Sequence, residues 1–483
     1  MILTVLRKKY KQMSIPVKAS LWYTICNVIN KSIALLSTPI FTRILTEEQY
    51  GTFTIFQSWF SILIIFTSLN VFLGGYQKGL ILFRDDIKKF TSSQLGLTTI
   101  ITFFWFCIYF VKRDFWSNAF GLSKKLMLAM FLELLLMPAL ELWSSQQRFD
   151  FKYKKYVCLT LAMTVMSIGG GVVGVLCSEH KLEARVYSDA LSKSLFSGVL
   201  FVLIFLAGKC FFSKKYWKYS LVFNLPLIPH YLSNYVLNQS DRVMIGKMVG
   251  NTQAAYYSVA YTISTMMIMI TTAINNSLTP YIYKSLEKDR RKDIKNSTKP
   301  ILFLVAGLCL LTMAFAPEVI RIFAGKRYLD AIYVIPPISA SVFFIFLYSL
   351  FSNIEYYYQK TGLIAFATCM SAVLNLVLNF IFIQIFGYYA AGYTTLVCYI
   401  CLSVFHYVFF KKVLKLQNIK TDIYDIKIVL LLSGVVLIGM LIMVLTYEWI
   451  IVRYAILLAT IVLAYVFKNK IKTLLLEFRK AKK

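Results

Sequence analysis

Apolar stretches of roughly twenty residues recur along the chain, at 20–41, 53–74, 94–112, 125–144, 156–177, 189–211, 220–240, 253–276, 300–316, 333–356, 364–386, 389–410, 426–446 and 449–467. Each is long enough to cross a hydrocarbon layer as a helix. The pattern predicts an all-α polytopic membrane protein with about 14 transmembrane helices. Short polar segments join the runs. The longest, 75–93 and 280–299, are amphipathic and basic, and are expected to lie on the inner membrane surface. The first 19 residues carry no small-residue cleavage site, so the run after them is expected to be a retained span.

The pattern repeats. PIFTRILTEEQYGTFTIF at 39–56 and LNQSDRVMIGKMVGNTQAAYYSVAY at 237–261 share one order: apolar helix, arginine, polar turn with Tyr and Gly, apolar helix. In both, the charges are expected where a helix leaves the bilayer, with Asp241 and Arg242 either forming a helix-capping ion pair or serving the substrate. RDDIKKFTSS at 84–93 is echoed by RKDIKNSTKP at 291–300; 36 residues separate Tyr50 from Asp86, and 37 separate Tyr256 from Asp293. These spacings predict two parallel six-helix repeats. The expected domains are 1–213, 214–415, and 416–483 as an added two-helix pair with a basic tail.

Polar residues inside the runs fall on helical faces. Thr24, Asn27, Lys31, Thr38 and Thr42 form a stripe in the first span; His230, Asn234, Asn238 and Asp241 form another in the seventh, below Pro226 and Pro229, which are expected to kink it. Gln57, Ser61 and Ser68 mark the second span; Tyr257, Tyr261, Thr265, Thr272 and Asn276 mark the eighth. Four wet faces on the opening helices of both halves predict a shared polar cavity. Asp189 and Lys193, four residues apart, are expected to pair. Glu141 and Glu355 are expected at the interface. Glu133, nearer mid-membrane, is a candidate proton or sodium site or a packing group, and Asp241 is a second coupling candidate.

Composition confirms the class: 58% of residues are hydrophobic and 15% charged, against about 25% charged in soluble domains. Most of the 52 Lys and Arg fall in connections assigned to one side, with the richest clusters at 284–299, 411–427 and 468–483. That asymmetry predicts both termini in the cytoplasm and explains the net charge of +30 by topology and anionic headgroups, with no nucleic-acid partner. Nine scattered cysteines and three separated histidines make no disulfide framework or metal site. Gly169, Gly170, Gly171 and Gly174 read as close helix packing. No cofactor and no soluble catalytic domain is expected, so the chain reads as a transporter and not an enzyme.

LPLIPHYLSNYVLNQSDRVMIGKMVGNTQAAYYSVAY at 225–261, TRILTEEQYGTFTIF at 42–56 and LTPYIYKSL at 278–286 resemble the polysaccharide transport family of the multidrug/oligosaccharidyl-lipid/polysaccharide flippase superfamily. Ala255 departs from the usual glycine, and the last two spans exceed the commonest twelve, an addition that also resembles the lipid II flippases. The resemblance implies two six-helix bundles in a V, plus two C-terminal helices. Between the bundles it implies a cationic central cavity that takes an undecaprenyl-diphosphate-linked oligosaccharide (an O-antigen, capsule or exopolysaccharide repeat unit) across a bacterial inner membrane by alternating access. The expected cavity residues are Lys31, Asn27, Arg43, His230, Asn234, Asn238, Arg242, Tyr257 and Tyr261. Membrane lipids, and the polymerase and chain-length machinery, are the implied partners, and coupling to a proton or sodium gradient stays open. The alternatives are a multidrug exporter, which would favour an acidic cavity, a lipid II-type flippase, and a membrane glycan polymerase or ligase, which would need a long external loop.

Overall fold

The computed structural model of the chain describes residues 10, 13–419 and 421–455. Most of the fourteenth run, from residue 456, lies outside the described residues, as do the basic cluster at 468–483 and Arg7, Lys8, Lys9 and Lys11. Among the described residues the chain is helical throughout, without a strand. It divides into two compact units, residues 1–235 and 236–483.

The first unit is built on α1 (Ile15–Ile44), α2 (Glu47–Ser68), α3 (Gly74–Leu82), α4 (Ile87–Val111), α5 (Arg113–Phe120), α6 (Lys124–Phe149), α7 (Tyr153–Cys177), α8 (Lys181–Gly208) and α9 (Lys214–Asn224). Next comes α10 (Ile228–Met248), which crosses from the first unit into the second. The second unit continues through α11 (Asn251–Glu287), α12 (Arg291–Ala314), α13 (Ala316–Phe323), α14 (Ile335–Tyr357), α15 (Thr361–Phe386), α16 (Tyr389–Leu416) and α17 (Ile426–Thr446). The long helices of the two units pair alike. In each unit the fourth packs on the sixth, the fifth on the sixth, the third on the fourth, and the second on both third and fourth.

Eleven stretches of described helix are long and apolar enough to cross a membrane, against the fourteen expected. Beyond the fourteenth run, the two that fall short are α1 and α10, the helices that open each half. Both are continuous helices, so their deficit is one of polarity, not of length.

Three expectations are corrected by local geometry. The polar turn after the first span is confined to Leu45 and Thr46, because Thr46 starts α2 with a reciprocal cap: its hydroxyl accepts from the Gln49 amide at 3.2 Å, and the Gln49 side chain accepts from the Thr46 amide at 3.1 Å. Tyr50 and Gly51 therefore lie inside the helix. Pro226 and Pro229 interrupt the expected seventh span, as anticipated: α9 ends at Asn224, the 3-10 turn Leu225–Leu227 follows, and the α-helix resumes at Ile228. The helix then runs seven residues beyond Asp241, so Asp241 and Arg242 sit within it and do not cap its end. The segment 280–299 is not a separate surface helix either: α11 continues through Glu287 and α12 starts at Arg291.

Close approach in the first unit rests on glycine. A Cβ at Gly96 in α4 would lie 2.0 Å from the Phe211 carbonyl oxygen, and one at Gly208 in α8 would lie 2.3 Å from the Lys88 carbonyl oxygen. Backbone cannot yield as a flexible side chain can. Gly96→Ala is expected to cost about 1–3 kcal/mol by overpacking, read as a lowered Tm in detergent. Gly169→Ala, where nothing lies within 4 Å, is the control expected to leave Tm unchanged or slightly raised. Of that cluster only Gly171 and Gly174 pack closely: a Cβ at Gly171 would meet Phe41 at 3.0 Å and one at Gly174 would meet Ser188 at 2.9 Å, whereas one at Gly170 would find only Ser188 at 4.0 Å.

Candidate functional site

In the first unit the stripe on α1 divides. Thr24, Asn27 and Lys31 are exposed, whereas Thr38 and Thr42 are buried. Toward its carboxyl end α1 is covered: Phe41 lies under the Arg185 guanidinium, 4.1 Å from ring centre to carbon, and against Gly171. There Thr42 donates to its own Thr38 carbonyl at 2.9 Å. Lys31, near the middle of the helix, makes no hydrogen bond or ion pair with any described residue. Arg43 is exposed in the last turn, and its Nη1 donates to the Pro39 carbonyl at 2.7 Å.

The buried charges of this unit gather elsewhere. Lys193 Nζ on α8 lies 2.8 Å from Glu133 Oε1 on α6 and 2.8 Å from Asp189 Oδ2 one turn back. Asp189 also accepts from Gln57 at 2.7 Å and Ser167 at 2.5 Å. The pairing of Asp189 with Lys193 was legible from their spacing; the recruitment of Glu133 from another helix was not. Glu133 is 1% exposed, and its Oε2 has no hydrogen-bond partner among the described residues. Lys31 is therefore an exposed cation, while Glu133 and Asp189 are buried and each is paired with Lys193. At the start of α10, His230 and Asn234 are half-buried, with the Asn234 amide 3.3 Å from His230 Nε2 and 3.2 Å from the His230 carbonyl.

In the second unit Asp241 is fully buried at the junction of four helices. Its carboxylate accepts from Asn379 Nδ2 on α15 at 2.6 Å and Thr395 Oγ1 on α16 at 3.0 Å, and from the Tyr257 hydroxyl on α11. Asn375 extends the network, accepting from Asn379 at 3.2 Å and Ser240 at 3.1 Å, and Thr394 donates to Asn379. Neutral partners thus satisfy both carboxyl oxygens of Asp241, so neither is buried without a hydrogen bond. Arg242 does not pair with it. Its Nη1 donates to the Asn238 carbonyl at 3.0 Å and Gln239 Oε1 at 2.7 Å, and its guanidinium lies 4.4 Å from the centre of the Tyr261 ring. The capping ion pair between Asp241 and Arg242 is replaced by these two separate arrangements.

Tyr261 donates to Asn238 at 3.0 Å, so Asn238, Arg242 and Tyr261 form one cluster. Tyr257 is 0% exposed and committed to Asp241, which removes it from any surface where a sugar ring stacks in this conformation. Asn375, Asn379, Thr394 and Thr395 were missed by sequence reasoning; the signal was available as two asparagines four residues apart inside an apolar run. Glu355, in the last turn of α14, is buried, with His406 Nδ1 3.0 Å from its Oε1.

Comparison with known proteins then places the chain. The profile of the family described as polysaccharide biosynthesis protein matches residues 17–286, more than half of the sequence, and the MatE profile matches 226–381. The chain belongs to the polysaccharide biosynthesis protein family. Through it the chain joins the multidrug/oligosaccharidyl-lipid/polysaccharide flippase superfamily. The "probable low-salt glycan biosynthesis flippase Agl15" of Haloferax volcanii is 23% identical, with 80% of this chain and 82% of that protein aligned. "Lsg locus putative protein 1" of Haemophilus influenzae is 24% identical over 74% of this chain and 88% of its own length. Among solved structures, the inward closed conformation of the lipid II flippase MurJ superposes with a TM-score of 0.70 at 16% identity, covering 93% of this chain and 99% of that one. An inward-facing multidrug resistance MATE transporter gives 0.64 at 13% identity, covering 81% and 96%. The fold of the superfamily is shared; at these identities the solved structures speak to fold alone.

Proposed function

We propose that this family member flips an undecaprenyl-diphosphate-linked oligosaccharide from the cytoplasmic to the outer leaflet of a bacterial inner membrane by alternating access. The observation that carries the reading is the exposed Lys31, near the middle of α1 and without a partner among the described residues. A lysine presented to hydrocarbon at that depth costs about 2.5–3.5 kcal/mol or more, so this face belongs to a wet path. A diphosphate moving through low dielectric needs such a cation, while the isoprenoid tail stays in lipid. Asn27, Arg43, His230, Asn234, Asn238, Arg242 and Tyr261 are the other proposed contacts for the headgroup. Asp241 and Glu133 are proposed to respond to a coupling ion. The Lys and Arg asymmetry supports cytoplasmic termini. A polymerase and chain-length machinery on the far side are the proposed recipients of the flipped unit.

A multidrug exporter would be served by exposed carboxylates, but Glu133 and Asp189 are buried and paired. The test is reconstitution into liposomes carrying an undecaprenyl-diphosphate-linked oligosaccharide in the inner leaflet, with exposure of the glycan outside read by a membrane-impermeant lectin. Protein-dependent appearance of the glycan is expected. Appearance no faster than in protein-free vesicles, together with efflux of a cationic dye, would transfer the protein to the drug-exporter reading.

A further inference from the structure

Two connections of the first unit close around a pocket that the transport path does not account for. The segment from α3 to the start of α4 and the turn between α6 and α7 together enclose about 650 Å³. Both follow even-numbered spans and so open on one side of the membrane. The polar lining is Gln77, Arg84, Arg148 and Asp150. Asp150 is answered by Lys152 Nζ at 2.7 Å. Arg84 and Arg148 make no side-chain hydrogen bond or ion pair with any described residue, and Arg148 Nε is buried without a partner. The Arg148 guanidinium lies over the Tyr156 ring at 5.7 Å, which orients it without consuming its hydrogen-bond donors.

The remaining wall is apolar and continues outward. Ile81, Phe149 and Phe151 line the pocket and are 65%, 37% and 44% exposed. Two unanswered guanidinium groups select an anion with several acceptor oxygens, for which their planar forks are shaped. The exposed apolar lip adds a second requirement that an inorganic anion does not meet. A molecule with a phosphate head and hydrocarbon chains meets both.

We propose that the first unit holds the phosphate headgroup of a lipid in this pocket, between Arg84 and Arg148, with the hydrocarbon chains running along Ile81, Phe149 and Phe151. The chemistry is common to an anionic glycerophospholipid and to a polyprenyl phosphate carrier. The inference does not rest on the transport reading, since a lipid can be held there whether or not a glycan is moved.

The test is native mass spectrometry of the full-length protein in detergent, titrated separately with dioleoylphosphatidylglycerol, undecaprenyl diphosphate and dioleoylphosphatidylcholine. Retention of the first two above the neutral-headed third is expected. The double variant Arg84→Gln/Arg148→Gln is expected to weaken that binding about thirtyfold, from about 1 kcal/mol for each cation near a lipid headgroup. Arg84→Lys/Arg148→Lys, which keeps charge without the fork, is expected to recover part of it, an outcome that a folding defect would not produce. Preference for undecaprenyl diphosphate over phosphatidylglycerol identifies the carrier as occupant, and equal affinity identifies a bulk-lipid headgroup; either supports the site. Binding of phosphatidylcholine as tight as that of the phosphate-headed lipids, or unaltered binding by the glutamine variant, overturns it.

Discussion

Lys31→Ala is expected to abolish transport of the lipid-linked glycan while leaving the amount of protein in the membrane unchanged. The cation is exposed and holds no described partner, so its removal leaves no buried carboxylate uncompensated and opens no cavity in the core. Its loss in the transport cycle is large, because truncating one side of a desolvated charge contact costs about 2–5 kcal/mol, and about 1.4 kcal/mol is already tenfold in affinity. Lys31→Arg keeps the charge on a longer, forked side chain and is expected to retain partial transport. Export of the glycan in cells lacking any other flippase, measured beside protein level by immunoblot, separates the outcomes. Normal export by Lys31→Ala at native expression would overturn the cationic path while leaving the family unaffected. Loss of export in parallel with loss of protein would show that the lysine serves folding.

The second large effect is on stability, and it falls on a different lysine. Lys193→Met is expected to destabilise the first unit by about 3–5 kcal/mol, the cost of breaking a buried pair by removing one partner. Methionine keeps the length and apolar stem, so the change isolates the charge. Glu133 and Asp189 would be left facing each other through a single vacated position, each 2.8 Å from where the ammonium stood. Thermal unfolding of the detergent-purified protein reads the loss. Adding Glu133→Gln and Asp189→Asn to Lys193→Met is expected to recover most of the Tm, because the repulsion is removed with the carboxylates. An unchanged Tm for Lys193→Met alone would show that the cluster is solvated and not structural.

Legibility differed between these two lysines for a physical reason. Mid-span position marked Lys31 as costly and therefore meaningful, and its exposure agrees. Lys193 looked fully explained by Asp189 four residues earlier, a local pairing that helical spacing reveals. Its second partner is 60 positions away, and no periodicity points to it. The same holds for Asp241. Its neighbour Arg242 was the natural partner in sequence, yet successive residues on a helix point in different directions, and its donors are Asn379 and Thr395, 138 and 154 positions away. The stripe on α1 was correctly periodic, but periodicity cannot tell a face turned to water from one covered by Arg185 and Gly171.

Hydropathy over about twenty residues is a local quantity, because in lipid every helix must satisfy its own backbone. The sequence by itself therefore determined the membrane class, most spans, the duplicated order of the two halves and the unusual polarity of the helices that open them. The tertiary structure alone decided which polar groups are wet and which are consumed. That choice depends on which distant helices converge around a side chain: Glu133 on Lys193, Tyr257 and Asn379 on Asp241, and no described partner on Lys31. Burial leaves a polar group only if a partner arrives, and arrival is a property of the packed fold.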